Sequence, residues 1–174
     1  TGVKLRKQVI DETVDLEKFT FYAGNYIYEK VNSGSNELQF FNHSEGYVKQ
    51  SFSNFEYVYQ YKDHLGNVRL SYLDTNLNGE IEIAANTGGS YSEIIEESNY
   101  YPFGLKHRGY NNVISANGNS VAQKKLFNGK EMQDELGLNW HDYGWRNYDA
   151  SLGRWMNLDP LAEKYYDLSS YNYT

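Results

Sequence analysis

Large side chains recur at every second position through residues 55–72, "FEYVYQYKDHLGNVRLSY". Phe55, Tyr57, Tyr59 and Tyr61 share one face of an extended chain, and Val68, Leu70 and Tyr72 resume the period beyond "DHLGN". A two-residue period is the signature of a strand. It predicts two antiparallel strands joined over residues 63–67, where Gly66 and Asn67 tolerate positive φ. Upstream, "FTFYAGNYIYEKV" and "ELQFFNHSEGYVKQSF" repeat the arrangement, with turns at Gly24 and Asn25 and over residues 44–46. "EIIEESNYYPFGL" reads as another strand, ending at Pro102 and Gly104, and "KKLFNGKEMQDELGLNWHDYG" holds two further turns. The polar stretch "NNVISANGNSVAQ" reads as a loop or hairpin tip, while "LRKQVIDETVDLEKF" fits a charged strand and a short helix equally. "DPLAEKYYDL" predicts a helix start, with Asp159 as N-cap and Pro160 at the first helical position. The pattern as a whole predicts an all-β meander of hairpins.

Composition sharpens this picture. Eighteen tyrosines against eight phenylalanines give the apolar positions hydroxyl tips, which suits sheets with one wet face and one packed face. Fifteen glycines and two prolines make the breaks turns of the hairpin kind. At 174 residues the chain holds one domain with a modest core. A net charge of -7, with scattered Lys and Arg, argues against a nucleic-acid partner. No run of 18 apolar residues exists, so no helical membrane span is predicted. The chain opens at Thr1 without an apolar signal core, which reads as a fragment, a processed product or part of something larger. Cysteine is absent, so disulfides contribute nothing.

"YQYKDHLGNVRLSYLD" resembles the tyrosine-aspartate (YD) repeat of Rhs proteins, whose aromatic strands pair around a D-x-x-G-x turn. "FNGKEMQDELGLNWHDYGWRNYDASLGRWMNLDP" resembles the Rhs repeat-associated core domain through Asn128, Gly129, Lys130, Glu131, Gly137, Leu138, Arg146, Tyr148, Asp149, Gly153, Arg154, Trp155, Asp159 and Pro160. "EESNYYPFGLKHRGYN" is similar to the connector of Bacteroidetes versions. The resemblance covers residues 55–174; residues 1–54 fit through aromatic hairpins alone. It implies part of a hollow β-cocoon, related to toxin-complex C proteins, whose core domain closes one end as a plug and cuts the chain in cis as an aspartic protease. Two positions depart from the family pattern: Ala150 stands where a Pro follows the Asp, and Gln133 replaces the Arg before Asp134.

The candidate catalytic carboxylates are Asp134, Asp149 and Asp159, with Arg146 and Arg154 available to hold one of them charged. Two carboxylates forced together share a proton, so that one acts as acid while the other activates water. Each also has a plain role: an Asp before a turn binds its own backbone, and Asp159 caps a helix. "DTNLNGEIEI" has the spacing of an EF-hand calcium loop, with Asp74, Asn76 and Asn78 at positions 1, 3 and 5 and Gly79 at position 6. Ala85 occupies the place of the closing Glu, and Glu93 beyond the insertion "AANTGGSYS" is its nearest substitute; Glu82 completes the set to test. The competing reading is a hairpin turn at Asn78 and Gly79. His43, His64, His107 and His141 lack zinc-site spacing and read as surface or packing residues. Trp140, Trp145 and Trp155 each read as burying a large apolar area.

These readings converge on an all-β shell with a C-terminal plug that contains a short helix. Residues 1–54 would be terminal YD-like repeats, 55–110 a YD repeat and connector, and 111–174 the core domain. The expected function is containment and release of a downstream toxin by a secreted Rhs-type protein, with self-cleavage as its one enzymatic step. The expected partners are the rest of the cocoon and the toxin, together with secretion machinery or surface glycans; calcium is the candidate ion. The alternatives are a secreted or cell-surface adhesion module that displays aromatic hairpins to glycans, and a chain bound as cargo or accessory in a larger secretion assembly.

Overall fold

A computed structural model describes residues 3–52, 54–83, 92–108 and 117–173. Eight strands form one antiparallel sheet in strict sequence order: β1 (Arg6–Asp11), β2 (Leu16–Ala23), β3 (Tyr26–Val31), β4 (Glu37–His43), β5 (Gly46–Ser51), β6 (Asn54–Lys62), β7 (Val68–Tyr72) and β8 (Ile94–Glu97). A second antiparallel sheet holds β9 (Glu131–Gln133), β10 (Trp140–Asp142), β11 (Asn147–Asp149) and β12 (Arg154–Trp155), again in sequence order. The protein is therefore all-β. The undecided N-terminal segment is the hairpin of β1 and β2, and each strand of the large sheet pairs with the next in sequence from β1 to β8.

The predicted β6–β7 hairpin is present, in the register Tyr59 opposite Tyr72 and Tyr61 opposite Leu70. Asp63 builds its turn: Oδ1 accepts from the N–H groups of Leu65 and Asn67, and Oδ2 from the Asn67 amide. Gly66 takes φ +80, but Asn67 does not take positive φ. Asn67 is buried instead, because its side chain serves both Asp63 and the N–H of Asn128.

The two faces of the large sheet differ. One carries Ile27, Phe40, Tyr47, Val58, Leu73 and Ile95, which form a core with Val121 and Ala122 from the segment leading to the second sheet. The other carries an aromatic ladder: Tyr26 to Phe41 at 5.2 Å, Phe41 to Phe55 at 6.0 Å, His43 to Tyr57 at 6.0 Å and Tyr59 to Tyr72 at 5.7 Å. The alternating aromatics of β6 thus line the open face, where Phe55, Tyr57 and Tyr61 are exposed, while Val58 between them is fully buried. Gly46 is required by close packing: a Cβ there would lie 2.0 Å from the Val58 carbonyl oxygen.

The C-terminal sheet packs around a second cluster, Phe127, Tyr148, Ala150 and Trp155, flanked by Tyr100, Tyr143 and Tyr173. Gly104 lets the Phe127 ring sit against its backbone, and the Tyr148 hydroxyl donates to the Phe103 carbonyl at 2.7 Å. Trp145 departs from expectation, and the short helix after Asp159 is present only as a single 3₁₀ turn. Trp145 is 76% exposed, because it follows Gly144 at the tip of the β10–β11 turn, whereas Trp155 is buried. No α-helix follows Asp159; Ala162–Lys164 closes one 3₁₀ turn and the chain then leaves helical geometry at Tyr165. Leu161, Tyr165 and Leu168 are exposed, so a helix there would have no buried face to stabilise it.

Candidate functional site

The second sheet is seated on the large one by charge. Glu131 opens β9 and receives Lys7 Nζ at 2.7 Å, Lys4 Nζ at 3.2 Å and the Tyr22 hydroxyl at 2.8 Å. Lys7 also reaches Glu135 at 2.7 Å, and Lys4 reaches Asp142 at 2.6 Å. Lys124 bridges Asp134 at 2.5 Å and Glu135 at 3.0 Å. Further along, Lys49 donates to the Asn117 carbonyl and the Asn119 amide to the Gln39 carbonyl. Burial alone would raise Glu131, but the Lys7 and Lys4 ammonium groups and the Tyr22 hydroxyl outweigh it and hold the carboxyl below its ordinary range. The same competition brings Glu135 down to about 2. Lys7 is raised because the two carboxylates overcome its own desolvation. Burial and the Glu131 charge push the Tyr22 phenol well up.

The five residues singled out for catalysis occupy different places. Asp134 follows β9 and is exposed on its Lys124 ion pair. Asp149 ends β11, and its Oδ1 accepts from Ser151 N–H at 2.8 Å, Ser151 Oγ at 2.5 Å and Leu152 N–H at 3.2 Å. Burial raises Asp149, but these donors, with the Trp140 side chain, prevail and keep it below the usual carboxylate value. Asp159 accepts from Arg146 Nη1 at 2.8 Å and from Leu161 N–H at 2.8 Å. Arg146 also lies 4.1 Å over the Trp155 ring, and Arg154 lies 4.8 Å over Tyr171. Among the described residues no hydrogen bond or ion pair joins two of the three aspartates. β10 lies between β9, which Asp134 follows, and β11, which Asp149 ends, so a whole strand stands between the two. Asp149 is thus held as the carboxylate by the donors of its own turn.

The acidic loop is drawn together. Asp74 Oδ1 and Oδ2 accept from the N–H groups of Asn78 and Gly79, and Asn76 Oδ1 accepts from Asn78 N–H at 2.9 Å. Glu82 receives the side-chain amides of Asn76 and Asn78, the latter at 2.6 Å. Glu93 is buried and accepts from Thr75 N–H at 2.7 Å and Glu82 N–H at 3.0 Å. The substitute carboxylate thus closes the loop through the backbone. Among the described residues no group of three or more His, Cys, Asp or Glu side chains is gathered to hold a metal. Ala85 and most of the insertion lie outside the described residues, as do residues 111–116 of the predicted loop.

Two features were invisible in the sequence. The partners of Lys4 and Lys7 are more than 120 positions away. His141 is buried in the aromatic cluster, 5.4 Å from Phe127, with a partnerless Nδ1. Its alternation with Trp140 and Asp142 was the one available hint.

No protein-family model and no curated protein matches the chain. Solved structures do. The crystal structure of TcdB2-TccC3 aligns with 97% of this chain at 18% identity and a TM-score of 0.64. The crystal structure of TcdB2-TccC3 without its hypervariable C-terminal region aligns with 90% at 19% identity and a TM-score of 0.60. This chain spans 8% and 7% of those two chains. At such identities the likeness is one of fold alone.

Proposed function

We propose that this chain is a closing segment of an Rhs-type enclosure, a strip of β-wall with a plug folded against its covered face, and that the enclosure holds a toxin for release outside the cell. One observation carries the reading. The C-terminal sheet and its lead-in segment cover one face of an eight-stranded strip through the Lys4, Lys7 and Lys49 anchors, and that arrangement follows the TcdB2-TccC3 fold over nearly the whole chain. The strand order, each strand beside the next in sequence, suits a wall that extends by adding hairpins. The hypervariable C-terminal region named for the solved relative is the counterpart of the contents.

Self-cleavage belongs to this proposal as its chemical step. Asp149 takes a proton from the attacking water and returns it to the leaving amine as the peptide C–N bond breaks; the Arg146–Asp159 ion pair braces the β11–β12 hairpin that carries it. The protein made from its complete gene tests both parts. Electron microscopy should show a hollow particle, and intact mass should show one cut downstream of this segment that is absent in Asp149→Asn. A solid or extended particle overturns the enclosure. An uncut chain overturns only the cleavage.

The exposed Phe55, Tyr57 and Tyr61 favour a second reading, in which the open face stacks on surface glycans. A glycan array on which Tyr57→Ala loses signal would support it.

A further inference from the structure

Lys4, Lys7, Lys18, Lys49, Lys106 and Lys124 each lie within 3.2 Å of a carboxylate. Lys125 does not. Among the described residues its Nζ has no ion pair or hydrogen bond; it sits 5.7 Å from the Phe40 ring centre and 5.9 Å from that of Tyr22. Burial pushes this ammonium below the ordinary lysine value. Ring faces offset only part of the cost of a desolvated cation. The Glu131 charge opposes that downward shift from a distance, and the neighbouring Lys4 and Lys7 charges add to it.

Lys125 lines a cavity of about 160 Å³ between the two parts of the protein. Phe40, Asn42, Tyr47, Gln60 and Lys62 wall it on the sheet side, and Ala122 and Gly129 on the other. The lining holds two lysines, two side-chain amides and His43, whose Nε2 is buried without a partner, and no carboxylate. Asn42 uses its amide on the Asn25 carbonyl, which leaves Gln60 as the amide facing the space. Since one water takes about 30 Å³ of liquid volume, the space suits a few waters or one small oxyanion. An anionic oxygen there would gain charge-assisted hydrogen bonds from a donor already desolvated.

We propose that this cavity is an anion site that accepts a carboxylate or a small oxyanion, with Lys125 as its half-buried cation, Lys62 as its rim and Gln60 as its neutral donor. The anion bridges wall and plug, so its binding stabilises the seat between them. Its source is either a free ion or the acidic side chain of a neighbouring polypeptide.

The test is thermal unfolding of the 174-residue chain in sodium acetate or sodium phosphate, against sodium chloride at equal ionic strength. A saturable rise in Tm of about 3 °C at 50 mM anion is expected, as for a site that is half filled near 10 mM. Acetate acting alone identifies a carboxylate site for a protein side chain; phosphate acting alone identifies a free-oxyanion site. Lys125→Met, which keeps the apolar stem, should abolish the rise. Lys62→Met, on the exposed rim, should raise the half-saturating concentration about threefold, and it serves if Lys125→Met fails to fold. No rise in the parent chain, an equal rise in Lys125→Met, or unchanged half-saturation in Lys62→Met overturns the site.

Discussion

Lys7 and Glu131 stand 124 positions apart in sequence and 2.7 Å apart in space. The pair joins the first strand of the large sheet to the first strand of the C-terminal sheet, with little of either side chain exposed. Removing one partner leaves a largely buried charge with only its second charged partner, Lys4 for Glu131 or Glu135 for Lys7, which costs more than removing both. Glu131→Gln and Lys7→Met should each destabilise the chain by about 2–4 kcal/mol in urea unfolding, and the double variant by clearly less than their sum. Strict additivity would mean that the two groups do not act as a pair.

The same cluster sets the acid limit. Glu131, Glu135 and Asp142 are all held below their unfolded values, Glu135 at about 2. A carboxyl depressed by folding adds stability above its unfolded pKa and loses it as pH falls through the folded one. The contribution of these carboxylates should therefore hold from pH 7 to about 5 and then drop steeply towards pH 2. Glu135→Gln should be less stable at pH 7 and show a shallower drop; an unchanged profile would remove Glu135 from the explanation.

The hairpins were legible because the period of two persists through long strands such as β6, where Phe55, Tyr57, Tyr59 and Tyr61 alternate with smaller or polar residues. The period could not say which face is covered. Tyrosines suit either side of a sheet, and the decision lies with Val121 and Ala122, which arrive some 60 positions later. The C-terminal strands are two or three residues long, too short for any period to show. Asp159 looked like a helix cap because local chemistry permits one. The sequence could not show that Leu161 and Leu168 have nothing to pack against, or that Arg146 takes the carboxylate. The loop at Asp74 was legible as a turn rich in side-chain acceptors, but the bonds from Glu93 to Thr75 and Glu82 cross an insertion.

His141 gives the second sheet its own pH response. Burial among Phe127 and Tyr148 lowers its pKa, and the Asp149 charge opposes this only in part. The unfolded chain takes up the proton near pH 6.5 while the native state resists it, so stability is lost as pH falls through that value. Between pH 7 and 5.5 the parent should lose up to about 1.4 kcal/mol per pH unit. His141→Phe, which fits the aromatic surroundings and removes the orphaned Nδ1, should flatten that slope, since His43, His64 and His107 remain in both proteins. Parallel slopes would place the response elsewhere.

The loop that begins at Asp74 has the oxygen spacing for calcium but spends Glu82 and Glu93 on its own amides and N–H groups. To bind the ion, Asn76 and Asn78 would turn their oxygens inward, away from the backbone donors they now serve. That exchange leaves a small net gain, in the millimolar range of weak extracellular calcium sites. With half-saturation near 3 mM, 10 mM CaCl₂ should raise Tm by about 2–3 °C over the same concentration of MgCl₂. Asp74→Asn removes the one carboxylate at a ligand position within the turn and should lose the calcium-specific rise, whatever it does to the starting Tm. Equal shifts with both salts, or a rise that survives Asp74→Asn, would leave the segment as a hydrogen-bonded turn closed by Glu93.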